Sequence, residues 1–317
     1  MLVRLVTSMV LVALAKIVSA GTYSLASNLV GEGFLNVFSW QAIADPTNGR
    51  VNYVTESTAQ ADGLVSVSGN QVTLRADSTT VLSSSGPGRN SFRLQSNAQY
   101  TTHVAVFDIA HMPQGCGTWP AISEVGANWP NEGEVDIVEG VDNQSPNLSS
   151  LHTSANCTMP DSRNMTGTST GTNCDVYETN NSGCGVQTND INSFGPDFNG
   201  IGGGWYAIER TSTFIKIYFW ERGSSSVPND VQYSGTSVNT SNWGIPAASF
   251  PDTDCNFSTH FGPHNIIINL TFCGDWAGNS AVYSASGCPS DCVDYVNQNP
   301  SAFVDAYFTF NSLNIYE

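Results

Sequence analysis

Between Gly133 and Gly140 the chain reads Glu134-Val135-Asp136-Ile137-Val138-Glu139, three carboxylates set among three β-branched apolar residues. Valine, isoleucine and the flanking glycines favour a strand over a helix. A strand sends successive side chains to opposite faces, so Glu134 and Asp136 share one face. Glu139, an odd number of residues from both, points the other way in a regular strand. Two arrangements fit. In the first, Glu139 lies on the opposite face or past the strand's end, and the acids are simply solvated. In the second, a β-bulge near Ile137-Val138 adds one residue and returns Glu139 to the face of Glu134 and Asp136. Like charges side by side weaken a strand, so three converging acids imply a task. Retaining glycoside cleavage is such a task, because it needs a carboxylate nucleophile and a protonated carboxylic acid roughly 5 Å apart.

The rest of the chain reads as short strands joined by turns. Charged residues make up only 12% while Gly, Ser, Thr and Asn abound, the composition of an all-β protein. Strand patterns recur at 64–67, 71–75, 91–95, 102–109, 134–139, 206–209, 214–220, 265–271 and 306–315. Along 214–220, Ile215, Ile217 and Phe219 take one face and Lys216, Tyr218 and Trp220 the other. One face is expected to pack and the other to meet solvent or substrate. Two such sheets bury their apolar faces against each other, which gives a sandwich. No linker or repeat divides the chain, so residues 21–317 read as a single domain.

Residues 1–20 read as a signal peptide, with Arg4 ahead of an apolar run and Val18-Ser19-Ala20 as a cleavage site. The run is too short to span a bilayer, and the end of the chain reads as a strand, not a lipid-anchor signal. Eight cysteines, at 116, 157, 174, 184, 255, 273, 288 and 292, suit an oxidising compartment and suggest disulfides of unreadable connectivity. Cys288 and Cys292 have a metal-like spacing with no second pair to complete it. Sequons at Asn143, Asn147, Asn156, Asn164, Asn180, Asn239, Asn256 and Asn269 fit secretion, though Asn269 sits in an apolar strand. Removing residues 1–20 deletes Arg4 and Lys16 and no acids, taking the formal charge from -17 to -19. No basic patch invites nucleic acid or an anionic membrane, and the expected partner is neutral. The polar stretch 153–203, holding three cysteines, is expected to be tied down and to wall one end of a cleft.

Upstream of the acids stand Gly117-Thr118-Trp119-Pro120-Ala121 and Asn128-Trp129-Pro130-Asn131, and downstream Leu151-His152-Thr153-Ser154. With these, and with Asp45-Pro46-Thr47, Val51-Asn52-Tyr53-Val54, His111-Met112-Pro113 and Phe272-Cys273-Gly274-Asp275-Trp276-Ala277-Gly278, the chain resembles glycoside hydrolase family 16. It is most similar to the secreted fungal laminarinase-like endo-1,3(4)-β-glucanases. The resemblance covers essentially all of 21–317 and rests on a Glu-x-Asp-x-x-Glu strand of the bulged type preceded by Asn-Trp-Pro. It implies a β-jelly-roll sandwich of two antiparallel sheets with a concave substrate cleft. It also implies Glu134 as nucleophile, Glu139 as acid/base and Asp136 as the assisting carboxylate. The physics agrees: an acid/base is protonated first, so nearby negative charge and desolvation should raise its pKa.

Trp129, Trp276 and Trp119 match positions lining the sugar cleft, where an aromatic face meets the C–H face of a pyranose. Core packing is their commoner alternative. His152 matches a cleft histidine and is otherwise a structural donor. Arg93 either reaches sugar hydroxyls or is an ordinary strand arginine. The chain departs from the family at Ile122-Ser123-Glu124, where aromatic residues are usual, and at Glu209-Arg210, where Glu-Trp is common and Trp205 stands earlier instead. The first departure is expected to alter a non-reducing-side subsite more than the chemistry. The resemblance implies a secreted, extracellular or cell-wall-associated monomer that hydrolyses β-1,3 and mixed β-1,3/1,4-glucan polysaccharide without a cofactor or catalytic metal. A transglycosylase with the same acids and a non-catalytic β-glucan-binding lectin are the alternatives.

Overall fold

Strands with one apolar face pair into two antiparallel sheets that close on a common core. The computed structural model describes residues 21–317; the signal-peptide reading of 1–20 lies outside the described residues. The front sheet runs in the order Thr168–Ser169, Cys184–Gln187, Leu148–His152, Glu134–Glu139, Thr118–Gly126, His264–Phe272, Arg93–Ser96, Phe38–Trp40. The back sheet runs Ser237–Asn239, Thr22–Leu29, Tyr307–Tyr316, His103–His111, Gly204–Arg210, Phe214–Glu221, Ala248–Pro251, and Tyr307–Tyr316 also carries the hairpin Val65–Ser68/Gln71–Arg75. Ile122, Val135, Leu151 and Ile268 from the front meet Phe107, Ile208, Ile217 and Phe310 from the back, all fully buried.

The expected strand at 91–95 divides at Phe92, whose ring is buried in the core. Arg89–Ser91 pairs in parallel with Val51–Tyr53, and Arg93–Ser96 joins the front sheet. Thr118–Gly126 was hidden by Pro120, which argues against a central strand. Pro120 lies just past Ala121, the last residue opposite the carboxylate strand, where one neighbour has ended. Thr22–Leu29 is rich in serine and asparagine, and its sequence carries little strand signal; pairing with Tyr307–Tyr316 and Ser237–Asn239 makes it a strand.

On the second face of Phe214–Glu221, Lys216 is half-buried while Tyr218 and Trp220 are covered. Tyr218 and Trp220 stack with ring centroids 5.5 Å apart, and Trp243 caps both edge-on. These residues form a second apolar layer behind the back sheet. The residues that depart from the family also lie mostly in the frame. Ile122 and Glu124 point into the core, and only Ser123 falls on the face of Asp136. Trp205 belongs to the second layer, and Glu209 accepts from Tyr23 Oη and Thr240 Oγ1. The cysteines pair as Cys116–Cys288, Cys157–Cys255, Cys174–Cys184 and Cys273–Cys292, so Cys288 and Cys292 bond to different partners.

Glu124 joins the two sheets through charge. Its Oε1 lies 2.8 Å from His103 Nε2, and Arg210 donates to its Oε2 at 3.3 Å. Burial disfavours the carboxylate, but His103 and Arg210 outweigh it and hold the group down at about 2. Its ion pairing therefore adds stability above the usual carboxylate range, and that stability is lost as pH falls toward about 2. Glu124→Ala leaves the buried guanidinium of Arg210 without its counter-charge and should cost about 3–5 kcal/mol. Urea unfolding at neutral pH measures the loss; a cost under about 1 kcal/mol would mean the network contributes little.

Candidate active site

The carboxylate strand loses step with both neighbours. Glu134, Asp136 and Glu139 oppose Val125, Ser123 and Ala121 on one side and His152, Ser150 and Leu148 on the other. Three intervals on this strand thus answer two on each neighbour, which defines a bulge. Ile137 and Val138 both turn into the core, fully buried. Glu139 thereby comes onto the face of Glu134 and Asp136, and all three acids border one cleft of about 670 Å³.

Each acid has a fixed partner. Trp129 Nε1 donates to Glu134 Oε2 at 2.7 Å, and Trp119 Nε1 donates to Glu139 Oε1 at 2.9 Å. His152 Nε2 lies 3.2 Å from Asp136 Oδ2, an ion-pair contact more than an aligned hydrogen bond. Trp119 stands edge-on to Trp276, centroids 5.6 Å apart, and both line the cleft, as does His152. Trp129 sits at the rim, 42% exposed. Arg93 shares the face of the acids but does not line the cleft; Gln41 and Asn269 hold its guanidinium.

Burial, then the charge of Asp136, pushes Glu134 up to about 7 and Glu139 up to about 8; Glu134 itself adds to the rise at Glu139. His152, the tryptophan N–H groups and, for Glu134, Arg93 work against these shifts. At His152 burial opposes the charge, but contact with Asp136 and the field of the three acids raise it to about 9. The site can therefore hold a carboxylic acid beside a carboxylate near neutral pH, with the His152 imidazolium next to Asp136.

The polar stretch supplies one wall, with residues 170–173 and 179–183 bordering the cleft through hydroxyl and amide groups. Cys174–Cys184 closes this loop. Gly183 seats it: φ is +59°, and a Cβ there would lie 2.4 Å from Leu151 O and 3.0 Å from the His152 ring. Sequence reading missed Ser150, Thr47 and Asp275, which also line the cleft. Ser150 Oγ is buried and bonded to no protein group. One serine in a row of small polar residues gives no sequence signal. Of the sequons, Asn147 and Asn269 are buried, Asn269 donating to Tyr53 Oη at 3.3 Å.

Residues 38–316 match the family described as XgeA-like, catalytic GH16 domain. The chain belongs to glycoside hydrolase family 16. It is 42% identical to a probable glycosidase of Schizosaccharomyces pombe, over 94% of this chain and 70% of that protein. It is 41% identical to the endo-1,3(4)-beta-glucanase xgeA of Emericella nidulans, over 94% of this chain and 48% of that protein. The chain thus spans about half the length of that glucanase. Among solved family 16 structures, the laminarinase 16A of Phanerochaete chrysosporium, with two β-glucans in its donor and acceptor sites, is 58% identical. It superposes with a TM-score of 0.92, covering 93% of this chain and all of that one. An elongating family 16 β-1,3-glucosyltransferase is 39% identical at a TM-score of 0.86, over 93% of this chain and all of that one.

Two outcomes follow from the electrostatics. In Asp136→Asn the Glu139 carboxyl, followed by ¹³C NMR of labelled glutamate, should titrate at lower pH. Asp136 acts on Glu139 more strongly than the opposing His152 does, so an unchanged or higher titration point would contradict this account. Glu134, Glu139 and His152 all have raised values, so the folded state binds protons that the unfolded chain has released. Stability should therefore fall as pH rises from 7 to 9, which denaturant midpoints across that range will measure.

Proposed function

We propose that the protein is a secreted retaining endo-β-glucanase that hydrolyses β-1,3 and mixed β-1,3/1,4-glucans by double displacement. The bulge that turns Glu134, Asp136 and Glu139 into one cleft carries this reading. The ionised Glu134 attacks the anomeric carbon while Glu139 gives its proton to the glycosidic oxygen as the C–O bond breaks. Glu134 becomes a neutral ester. Part of the charge that raised Glu139 is then gone, so Glu139 takes a proton from the incoming water, which releases the sugar with its original configuration. Asp136, countered by His152, supplies the field between the two glutamates. Trp119, Trp129 and Trp276 offer faces or edges to the sugar rings, and the hydroxyl and amide wall suits sugar hydroxyls. Arg93 acts on the site through its charge.

The family and the relatives' names support a β-glucan substrate. The formal charge of -17 favours a neutral polymer over a polyanion. Four disulfides fit an exported protein, and 21–317 is taken as one catalytic domain acting as a monomer. A second reading, transglycosylation, is favoured by the likeness to the elongating glucosyltransferase; a sugar hydroxyl then replaces water in the second step. A lectin on this fold would have no use for both glutamates.

Purified protein is to be incubated in parallel with laminarin, lichenan and carboxymethyl-cellulose, with Glu139→Gln as control. Oligosaccharides from the first two substrates, by the unaltered protein alone, are the expected result, and their sizes give the linkage cut. Products longer than the starting chains would move the assignment to a transglycosylase, and binding without products to a lectin. Glu134→Ser should lower hydrolysis by about 10³-fold or more while oligosaccharide binding persists. Full activity in that variant would overturn the role given to Glu134.

A further inference from the structure

We infer that Asn147 is the positioning residue of the acid/base: its side-chain amide holds the bulge that turns Glu139 into the cleft. The inference rests on the role proposed above for Glu139. A bulge takes backbone groups out of the ladder, and inside a protein each needs another partner. Ile137 is paired in neither ladder of the carboxylate strand. Asn147 Nδ2 donates to the carbonyl of Ile137 at 3.1 Å, and Asn147 Oδ1 accepts from the N–H of Glu139 at 2.9 Å. One planar amide thus spans the extra residue, a donor on one side and an acceptor on the other. Among side chains of this length only asparagine presents both.

The clamp is itself held. Asn147 is fully buried, its N–H donates to Ser193 Oγ at 2.9 Å, and its carbonyl accepts from Thr188 N at 2.9 Å. Ser149 Oγ donates to the same Ile137 carbonyl at 3.0 Å and accepts from Asn147 Nδ2 at 3.3 Å. The sequon Asn147-Leu148-Ser149 therefore serves as a bulge clamp, and its burial leaves no room for a glycan in the folded protein. A regular strand would still bury Val135 and Ile137 but would turn Val138 out of the core. It would send Glu139 off the face of the other two acids.

An acid that is out of place harms only those substrates whose leaving group needs a proton. Dinitrophenolate departs without one, so kcat/KM for 2,4-dinitrophenyl β-laminaribioside reports attack by Glu134 alone. Asn147→Ala should lower kcat/KM on laminarin by about 10²-fold, the scale of general-acid catalysis, and on the aryl substrate by less than about 3-fold. Added azide, which attacks the glycosyl-enzyme without a base, should raise kcat on the aryl substrate and give a glycosyl azide. Ser149→Ala removes one of two donors to Ile137 and should show the same imbalance at about 5-fold; it decides the matter if Asn147→Ala does not fold. Equal losses on both substrates, or no loss on either, would overturn the inference. Glu139→Gln serves as reference. If it shows the imbalance and the Asn147 and Ser149 variants do not, the clamp is wrong and the acid/base stands; if Glu139→Gln lacks it, the role of Glu139 falls first.

Discussion

At Ile137 and Val138 two consecutive side chains turn into the core, and the strand slips by one residue against both neighbours. Glu139 takes its place in the cleft from that slip. Glu134 and Asp136 would share a face in any strand, but Glu139 joins them only because one extra residue reverses its side. The core fixes the slip from behind, since both apolar side chains are fully buried. The front sheet fixes it from the flanks, since each neighbour presents residues in strict alternation.

Carboxylates on the two faces of this sheet meet opposite electrostatic fates. On the core side Glu124 is as buried as a group can be, yet His103 and Arg210 hold it ionised down to about 2. On the cleft side Glu139 faces other acids and is pushed up to about 8. Burial works the same way on both; the sign of the neighbouring charge decides. Two tryptophan N–H groups and one imidazolium temper the repulsion in the cleft without cancelling it.

The cleft is braced by a covalently closed loop on one side and by packed layers behind the sheets. The loop that walls the cleft is closed by Cys174–Cys184 and seated on His152 through Gly183. Behind the back sheet, Tyr218, Trp220 and Trp243 form a second layer, so both faces of Phe214–Glu221 are packed. Most residues that depart from the family pattern are spent in this frame. Ile122 and Trp205 pack, while Glu124, Glu209 and Arg210 pair across buried strands. The departures therefore bear on how the sheets are held more than on the cleft.

Local chemistry was legible in the residues: the strands at 134–139 and 265–271, the alternation at 214–220, eight cysteines for disulfides, and a polar cleft wall. Each depends on intrinsic preference or on neighbours within a few positions. The resemblance to family 16 chose the bulged arrangement over the regular strand and added the tryptophans and His152, because its motifs join residues far apart in the sequence. Tertiary structure alone decided the rest. Period-two patterning says which residues share a face but not what covers that face, so Tyr218 and Trp220 could not be told from a solvent-facing or substrate-facing row. Thr22–Leu29 becomes a strand only through partners more than 200 residues away, Ser237–Asn239 and Tyr307–Tyr316. Asn147 reads as a sequon until its amide is found between Ile137 O and Glu139 N. A hydrogen bond made across a slipped register depends on where two strands stop, and no local sequence preference encodes that.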